Sequence, residues 1–512
     1  MQSAQPNGTS LSHAPDGTSH AIPTAAQTAA HFAEITLLAA GRPVVVVQGL
    51  GFVGSAVAAV IADARDGVGK PRWFVIGVDR ATPGSWWKIA LINEGRAPIA
   101  SPDPEFDRLV ARGVLQRRNL FATASEEAYA LAEVIVVDVH LDVLDRCVTV
   151  PDAIELNLAG FEAAVRAVGR HMRGDALVLV ETTVPIGTCE RSVLPALQSE
   201  RLARGISEPL QLAHAYERVM PGPRYIDSIR RFWRSFSAID AASAVRAKEF
   251  LATFIDQEFA PVELADTAST ELAKLLENSY RAANIAFIHE WTLLAEKIGI
   301  NLWAVVDSIR VRKGTHDNLR YPGFGVGGYC LTKDSLLAQW SATQLCKTNV
   351  LAVTLEALRI NHDMPLHTLD LVRELAGGSI SGLRLLVCGI SYLPNVADTR
   401  NSPTELFVDA STAEGADVTV HDPCVRQWPE RPAVRLSVDL HKALHCSDAI
   451  VFAVPHNTYK QLAPSDFPGA RAIIDANNVL NDSAARSLHA AGSRLAGVGK
   501  GHWRKAGYHL KR

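Results

Sequence analysis

Apolar residues along the chain gather into short unbroken runs separated by amphipathic stretches, the pattern of strands buried on both faces and of helices that cover them. The first run, Val44-Val-Val-Val-Gln48, feeds an alanine-rich segment ending at Ile61. Further strands are predicted at Trp73–Asp79, Val134–Asp138 and Ala176–Val180, with a helical stretch around Leu156 to Met172. Strands alternating with helices predict a parallel sheet wound by crossovers. The pattern then changes: Thr267 to about Ile298 keeps a helical period throughout and reads as one long connecting helix. A second strand set follows Gly377-Gly378, at Leu383–Ser391, Asp417–Asp422, Ala449–Val454 and Ala472–Asp475.

The turn after the first run is Gly49-Leu-Gly-Phe-Val-Gly54, a dinucleotide fingerprint between a strand and a helix. Its first glycine permits the tight turn, the second lets backbone approach a pyrophosphate, and the third allows helix to pack on strand. The phosphates then meet the positive end of the helix. Asp79, ending the second strand, can accept from a ribose 2′-hydroxyl and would repel a 2′-phosphate, which favours NAD over NADP, although Arg80 tempers that choice. The alternative is a glycine-rich turn that binds no nucleotide. In the second strand set Gly389 lacks the companion glycines, so no second dinucleotide is expected there in the same mode. The fold class is α/β, two Rossmann-like doubly wound parallel-sheet domains joined by a long central helix. The expected divisions are 1–40 as an N-terminal extension, 41–240 for NAD, 241–376 as a central helical dimerisation domain with a cysteine loop, and 377–512 as the second Rossmann-like domain.

Composition narrows the class. An apolar fraction of 48%, a charged fraction of 21% and a net charge of −3 indicate an ordinary globular protein with no bias toward nucleic acid. The seven cysteines contain no C-x-x-C pair, which argues against zinc and against a disulfide framework, so no metal is expected and a reducing cytoplasm fits. No run reaches the roughly 18 apolar residues of a membrane span. Residues 1 to about 24, poor in large apolar side chains, are expected to be disordered, Ala25–Ala40 to form a short helix, and the basic stretch Lys500–Arg512 to be a loosely held terminus.

Candidate chemistry centres on Tyr321-Pro-Gly-Phe-Gly-Val-Gly-Gly-Tyr-Cys-Leu-Thr-Lys-Asp334. Gly323, Gly325, Gly327 and Gly328 would let backbone pass close to a ligand and leave Cys330 accessible. Lys333, if near, would raise the thiolate fraction, and Asp334 could orient water. The alternative is a small buried cysteine in a turn. Glu181-Thr-Thr-Val-Pro-Ile-Gly187 brings an acid and hydroxyls to the carboxyl end of a strand, where open α/β sheets bind ligands. Glu217, in an apolar setting, could serve as acid or base with a raised pKa, or simply pair with Arg218 or His214. Lys274 and Asn278 are four apart on the long helix and share a face.

Together these residues resemble the UDP-glucose/GDP-mannose dehydrogenase family, over roughly residues 44 to 480. The fingerprint, Thr182-Thr-Val-Pro185, Tyr216-Glu-Arg-Val-Met-Pro-Gly222, Glu271-Leu-Ala-Lys274 with Asn278, and Gly327-Gly-Tyr-Cys-Leu-Thr-Lys-Asp334 occur in family order, and Pro394-Asn-Val-Ala-Asp-Thr-Arg-Asn-Ser-Pro403 resembles the signature of its nucleotide-sugar domain. The resemblance implies NAD-dependent four-electron oxidation of the C6 hydroxyl of a nucleotide sugar, UDP-linked first and GDP-linked second, to the uronate. Cys330 would carry the thiohemiacetal and thioester, Lys274 and Asn278 would steady the oxyanion, and Asp334, Glu217 and Thr183 would organise proton transfer and water. The cofactor would be held by Gly49, Gly51, Phe52, Val53, Gly54, Asp79, Lys333 and Arg400. A homodimer built on the Thr267–Ile298 helix is implied. Departures are Asp138-Val-His-Leu-Asp142 in place of a proline-containing turn, Leu393 in place of a lysine, and His316 in place of an arginine, with Arg312, Lys313 and Arg320 as the candidate substitutes. Alternatives are a two-electron alcohol or hydroxyacid dehydrogenase, and a non-catalytic nucleotide-sugar binder.

Overall fold

A computed structural model describes residues 10–146, 150–220, 222–467 and 471–510. The chain divides into two compact units, one of residues 1–144 and 155–275, the other of residues 145–154 and 276–512.

The first unit opens with a short hairpin of β1 (Leu11–His13) and β2 (Ser19–Ala21) and is built on an eight-stranded sheet. The sheet strands are β3 (Val44–Gln48), β4 (Phe74–Val78), β5 (Leu120–Thr123), β6 (Val134–Val137), β9 (Leu177–Val180), β10 (Gln211–Ala215), β11 (Ser235–Ala238) and β12 (Val262–Glu263), in the order β12-β11-β10-β9-β6-β3-β4-β5. A second short hairpin, β7 (Asp142–Val143) with β8 (Leu156–Asn157), falls between β6 and β9 in the chain. All of β3 is buried, as a central parallel strand covered on both faces must be. The helix Gly54–Asp63 lies on it with nine buried residues, and its small alanines allow close approach. The fully parallel sheet expected from sequence needs one correction: β11 pairs antiparallel with β10, and β12 follows β11.

The N-terminal stretch needs another. Residues 10–24 are not disordered: Ser12 Oγ donates to Pro83 O (2.7 Å) and accepts from Trp87 N (3.0 Å), and Asp16 pairs with Arg96 (2.6 Å). Hydrogen bonds from Thr18, with help from Arg96, hold the Asp16 carboxyl down at about 2. The helix Ala25–Ala39 follows as expected, opened by a Thr24–Gln27 capping box.

The second unit holds a six-stranded, wholly parallel sheet of β13 (Arg384–Cys388), β14 (Asp417–His421), β15 (Arg435–Ser437), β16 (Ala449–Phe452), β17 (Ala472–Asp475) and β18 (Arg494–Gly497), in the order β15-β14-β13-β16-β17-β18. Residues 500–510 are not loose, and the last two residues of the stretch lie outside the described residues. Trp503 is fully buried, Lys500 Nζ pairs with Asp475 (2.9 Å), and Tyr508 O accepts from Leu495 N (2.9 Å). One aromatic anchor and one buried ion pair outweigh the basic composition that suggests a free tail. The long helix runs from Thr267 to Ile298 without a break. Among the described residues no helix is long and apolar enough to cross a membrane.

Candidate active site

In the first unit the fingerprint glycines are distinguished by what surrounds them. Gly49 has φ +93°, and a Cβ there would strike the Asp138 carbonyl. A Cβ on Gly54 would run into the Gly49 carbonyl, with Asp138 Oδ2 at 2.9 Å. Both positions are closed by packing. Gly51 instead faces open space, with no atom within 4 Å of the point where a Cβ would stand, at the mouth of the helix Gly54–Asp63. That is the cradle a pyrophosphate requires: bare backbone, the positive end of a helix and room. Phe52 is fixed by an edge-to-face contact with Tyr225 (5.4 Å), whose hydroxyl donates to Phe52 O, and Val53 is half-buried. Asp79 lies at the end of β4, accepting from Leu50 N (3.2 Å) and Lys88 Nζ (2.6 Å) on one oxygen and from Arg80 N (2.8 Å) on the other. Nothing in the sequence pattern singles out Lys88. It sits nine residues further on in a separate helix, and only the fold brings it to Asp79.

The carboxyl ends of β6, β9 and β10 carry three acids, Asp138, Glu181 and Glu217. Glu181 is not a ligand group: it is fully buried in an ion pair with Arg234. Burial raises its pKa while Arg234 opposes that shift. Asp138 is pushed well up, first by burial and then by Glu181 and Glu217, against a hydrogen bond from Gly54 N. Glu217 meets Lys274, a partner the sequence does not single out. Its Oε1 lies 3.5 Å from Lys274 Nζ, which donates to Glu217 O (2.7 Å) and faces the Tyr216 ring at 5.6 Å. Thr183 is half-buried in the turn after β9.

In the second unit the cysteine loop leads into the helix Asp334–Cys346. Cys330 is half-buried, and its carbonyl accepts from Lys333 N (3.1 Å) and Asp334 N (2.9 Å). Three of the loop glycines, Gly325, Gly327 and Gly328, are required by packing within the unit. A Cβ on Gly327 would meet Tyr392 (2.6 Å) and Asn401 O (2.8 Å), one on Gly328 the Tyr392 ring (2.6 Å), and one on Gly325 Pro403. The loop is thus pressed against the segment Tyr392–Pro403, and Gly328 N donates to Arg400 O (3.1 Å). Asp334 is buried, accepting from Asn278 Nδ2 (2.6 Å) and from Lys333 Nζ (2.9 Å). Lys333 also faces the Tyr329 ring (4.7 Å), so its ammonium is committed to Asp334.

Tyr392 and Arg400 are among the charged groups that interact with the Cys330 sulfur. Burial works against the Arg400 cation, yet its ion pair with Asp398 (2.6 Å), aided by Tyr392 and Cys330, keeps its pKa above the ordinary guanidinium value. Burial, then Asp398, pushes the Tyr392 phenol up, with Cys330 adding to the shift. Of the departures from the family pattern, His316 is exposed and Leu393 half-buried, whereas Arg320 is half-buried, its pKa lowered first by burial and then by Arg281 and Arg310. Among the described residues one trio, Asp422, Cys424 and His456, brings metal-ligating atoms together. His456 Nδ1 accepts from Asn395 N (2.9 Å), so Nε2 carries the proton and faces Asp422 Oδ2 (3.1 Å). The trio is a hydrogen-bonded lock.

Comparison with known proteins agrees with this geometry. Family models match three stretches: residues 43–231 the NAD binding domain, 268–363 the central domain and 386–482 the UDP binding domain of the UDP-glucose/GDP-mannose dehydrogenase family. The chain is 27% identical over 446 residues to UDP-N-acetyl-D-mannosamine dehydrogenase of Methanocaldococcus jannaschii, covering 85% of this chain and 92% of that one. It is similar to the solved UDP-D-ManNAc dehydrogenase of Pyrococcus horikoshii (28% identity, TM-score 0.76, 90% of this chain and 100% of that one). It is also similar to the NDP-N-acetyl-D-galactosaminuronic acid dehydrogenase of Methanosarcina mazei Go1 (26%, TM-score 0.74, 94% and 99%). The chain belongs to the UDP-glucose/GDP-mannose dehydrogenase family and carries its NAD-binding, central and UDP-binding domains in order.

Proposed function

We propose that the protein oxidises the C6 hydroxyl of a nucleotide sugar to the carboxylate in two successive hydride transfers, with Cys330 as the covalent carrier. The observation that carries this reading is a half-buried thiol one helical turn before Asp334, a carboxylate itself held by Asn278 and Lys333. NAD, when bound, supplies the hydride acceptor for both oxidations. Cys330 Sγ adds to the aldehyde carbon left by the first, forming a thiohemiacetal that still bears a hydrogen on that carbon. Loss of that hydrogen as hydride leaves a thioester. Water then cleaves the carbon–sulfur bond, returning the thiol and releasing the carboxylate, so that each sugar consumes one water and yields two NADH and three protons. Asp334, fixed by its two donors, orients that water. Lys274 and Asn278 steady the oxyanion that forms at each addition, an effect worth roughly 3 kcal/mol per donor in a preorganised site. Glu217, paired with Lys274, and Thr183 organise the proton path, and Arg400 and Lys333 complete the cofactor and thiol surroundings.

The names of the relatives favour a UDP-linked 2-acetamido sugar, and the matched UDP binding domain supports that base. A panel of UDP- and GDP-sugars, scored for NADH per sugar consumed, tests the reading. The expected result is two NADH per sugar in the wild type and arrest at or before the aldehyde in Cys330→Ser. One NADH per sugar with unchanged Cys330→Ser activity would favour a two-electron dehydrogenase and reject the proposal. The working unit is a homodimer. Leu272, Leu276, Tyr280, Phe287, Trp291, Leu294 and Ile298 recur at three-, four- and seven-residue spacings along the long helix, each between 48% and 62% exposed, a stripe suited to a second copy. A monodisperse active monomer in solution scattering would exclude this.

A further inference from the structure

The fragment Glu271-Leu-Ala-Lys274 holds an acid with no part in the chemistry above. Glu271 is buried on the long helix one turn before Lys274. Its Oε2 accepts from Gly187 N (2.5 Å) and its Oε1 from Cys189 N (2.8 Å). The Cys189 thiol donates to the same carboxylate. Three donors from one turn thus converge on a single side chain, and that turn is the continuation of Thr182-Thr-Val-Pro185. Pro185 and Thr188 close it locally, with Thr188 Oγ1 donating to Pro185 O (2.7 Å).

We propose that Glu271 is a positioning residue whose carboxylate clamps the Thr182–Cys189 turn to the helix carrying Lys274, so that Thr183 and Lys274 are held in one register. The proposal rests on the reading that Thr183 and Lys274 serve the oxidation. Both oxygens accept only in the ionised form. A proton on either one puts a hydroxyl against an amide N–H and releases one of the two backbone bonds. Burial raises the Glu271 carboxyl to about 7, the Cys189 and Gly187 donors pulling it down and Glu190 adding repulsion. Of the other charged groups nearby, Lys274 lies 3.5 Å from Glu217, and burial, with Lys274 adding, lowers His214 to about 4 and keeps it neutral around pH 7. The clamp is therefore closed above neutrality and opens on mild acidification.

Two measurements on the full chain test this. Hydrogen exchange of the Gly187 and Cys189 amides, corrected for intrinsic rates, should be slow at pH 8, faster at pH 6, and fast at both in Glu271→Gln. The kcat for nucleotide-sugar oxidation should rise about tenfold through neutral pH on one ionisation, as expected when a catalytic group is freed from misplacement. KM should change little. In Cys189→Ala, which removes one donor and leaves both amides, the same limb should move to higher pH with its plateau kept. Exchange at Gly187 and Cys189 that ignores both pH and Glu271→Gln would overturn the clamp, as would an unmoved limb in Cys189→Ala. Exchange that responds as expected in a protein inactive on every nucleotide sugar supports the clamp and overturns the functional reading instead.

Discussion

The two units repeat one architectural device and use it in opposite ways. In each, a buried central strand ends in a glycine with positive φ, Gly49 at +93° after β3 and Gly389 at +109° after β13. In each, an aspartate at the end of the neighbouring strand reaches back to the residues after that glycine. Asp79 accepts from three donors, the backbone N–H groups of Leu50 (3.2 Å) and Arg80 (2.8 Å) and Lys88 Nζ (2.6 Å), and keeps 11% of its side chain exposed. Asp422 accepts from Ile390, Ser391 and Cys424, at 2.9, 3.0 and 2.8 Å, and faces the ring proton of His456, with no exposed side chain. One acid has capacity left for a ribose hydroxyl. The other is saturated by its own loop. A repeated fold is therefore not a repeated site, and the difference lies in how many donors the protein itself supplies.

The largest way to break this contrast is to remove the saturated acid. Asp422→Ala strips two buried N–H groups, one half-buried N–H group and His456 of their acceptor, and should lower the stability of the second unit by about 3 to 5 kcal/mol, the range for breaking a buried charged cluster. NAD titration should be unchanged, because the fingerprint lies in the other unit. Thermal unfolding followed with NAD affinity checks both halves. Weakened NAD binding with an unaltered melting curve would show that the second acid is not a structural lock.

Acid should distinguish the first unit. His214 is buried against Thr270 (2.8 Å), and burial, with Lys274 adding, lowers its pKa from 6.5 to about 4. Between those values the unfolded chain binds the proton and the folded chain does not, so stability falls as pH drops from 6.5 toward 4. The full difference is about 3 kcal/mol at 1.36 kcal/mol per pH unit. Urea unfolding at pH 7 and pH 4.5 should show acidification to be more destabilising in the wild type than in His214→Leu, by about 2.5 kcal/mol, the difference isolating His214 from the other titrating groups.

A subtler separation uses the glycines. Gly51→Ala places a methyl in open space and should leave stability within about 0.5 kcal/mol. It should nevertheless weaken NAD by about thirtyfold, ~2 kcal/mol, since the methyl stands where the pyrophosphate meets backbone. Gly389→Ala, at positive φ and against Val454, should do the reverse: destabilise without touching NAD.

Much of this contrast can be read from sequence, and the part that cannot has a physical reason. Runs such as Val44–Val47, the fingerprint glycines and the unbroken Thr267–Ile298 period signal themselves because burial and periodicity act over neighbouring residues. The N-terminal hairpin is invisible to that logic, since its three-residue strands are held by side-chain bonds from Ser12 and Asp16 to residues about 70 to 80 positions away. The same holds for Trp503, whose burial outweighs a basic local composition. Within the candidate site, Cys330, Asp334 and Asn278 are legible as residue types, but their partners are not. That Lys333 serves Asp334, that Glu217 pairs with Lys274, and that the loop glycines pack on Tyr392 all depend on contacts set by the tertiary fold.

The smallest expected effect concerns the choice between NAD and NADP, where the unsaturated state of Asp79 should be measurable. Asp79 meets Lys88 Nζ at 2.6 Å, so the ribose end of the site already contains a cation held in check by one carboxylate. In Asp79→Asn the repulsion of a 2′-phosphate disappears and Lys88 is released to pair with it, while one acceptor for the 2′-hydroxyl remains in the amide. The NADP-to-NAD ratio of kcat/KM should rise about tenfold, ~1.4 kcal/mol, chiefly through KM for NADP. Adding Lys88→Ala should remove most of that gain, because the attractive partner is lost although the repulsive one is already gone. The corresponding Asp422→Asn should leave the ratio where it was. If the single Asp79→Asn change leaves the cofactor ratio unmoved, Asp79 is as fully engaged by its own loop as Asp422, and the distinction drawn between the two units fails at its most direct test.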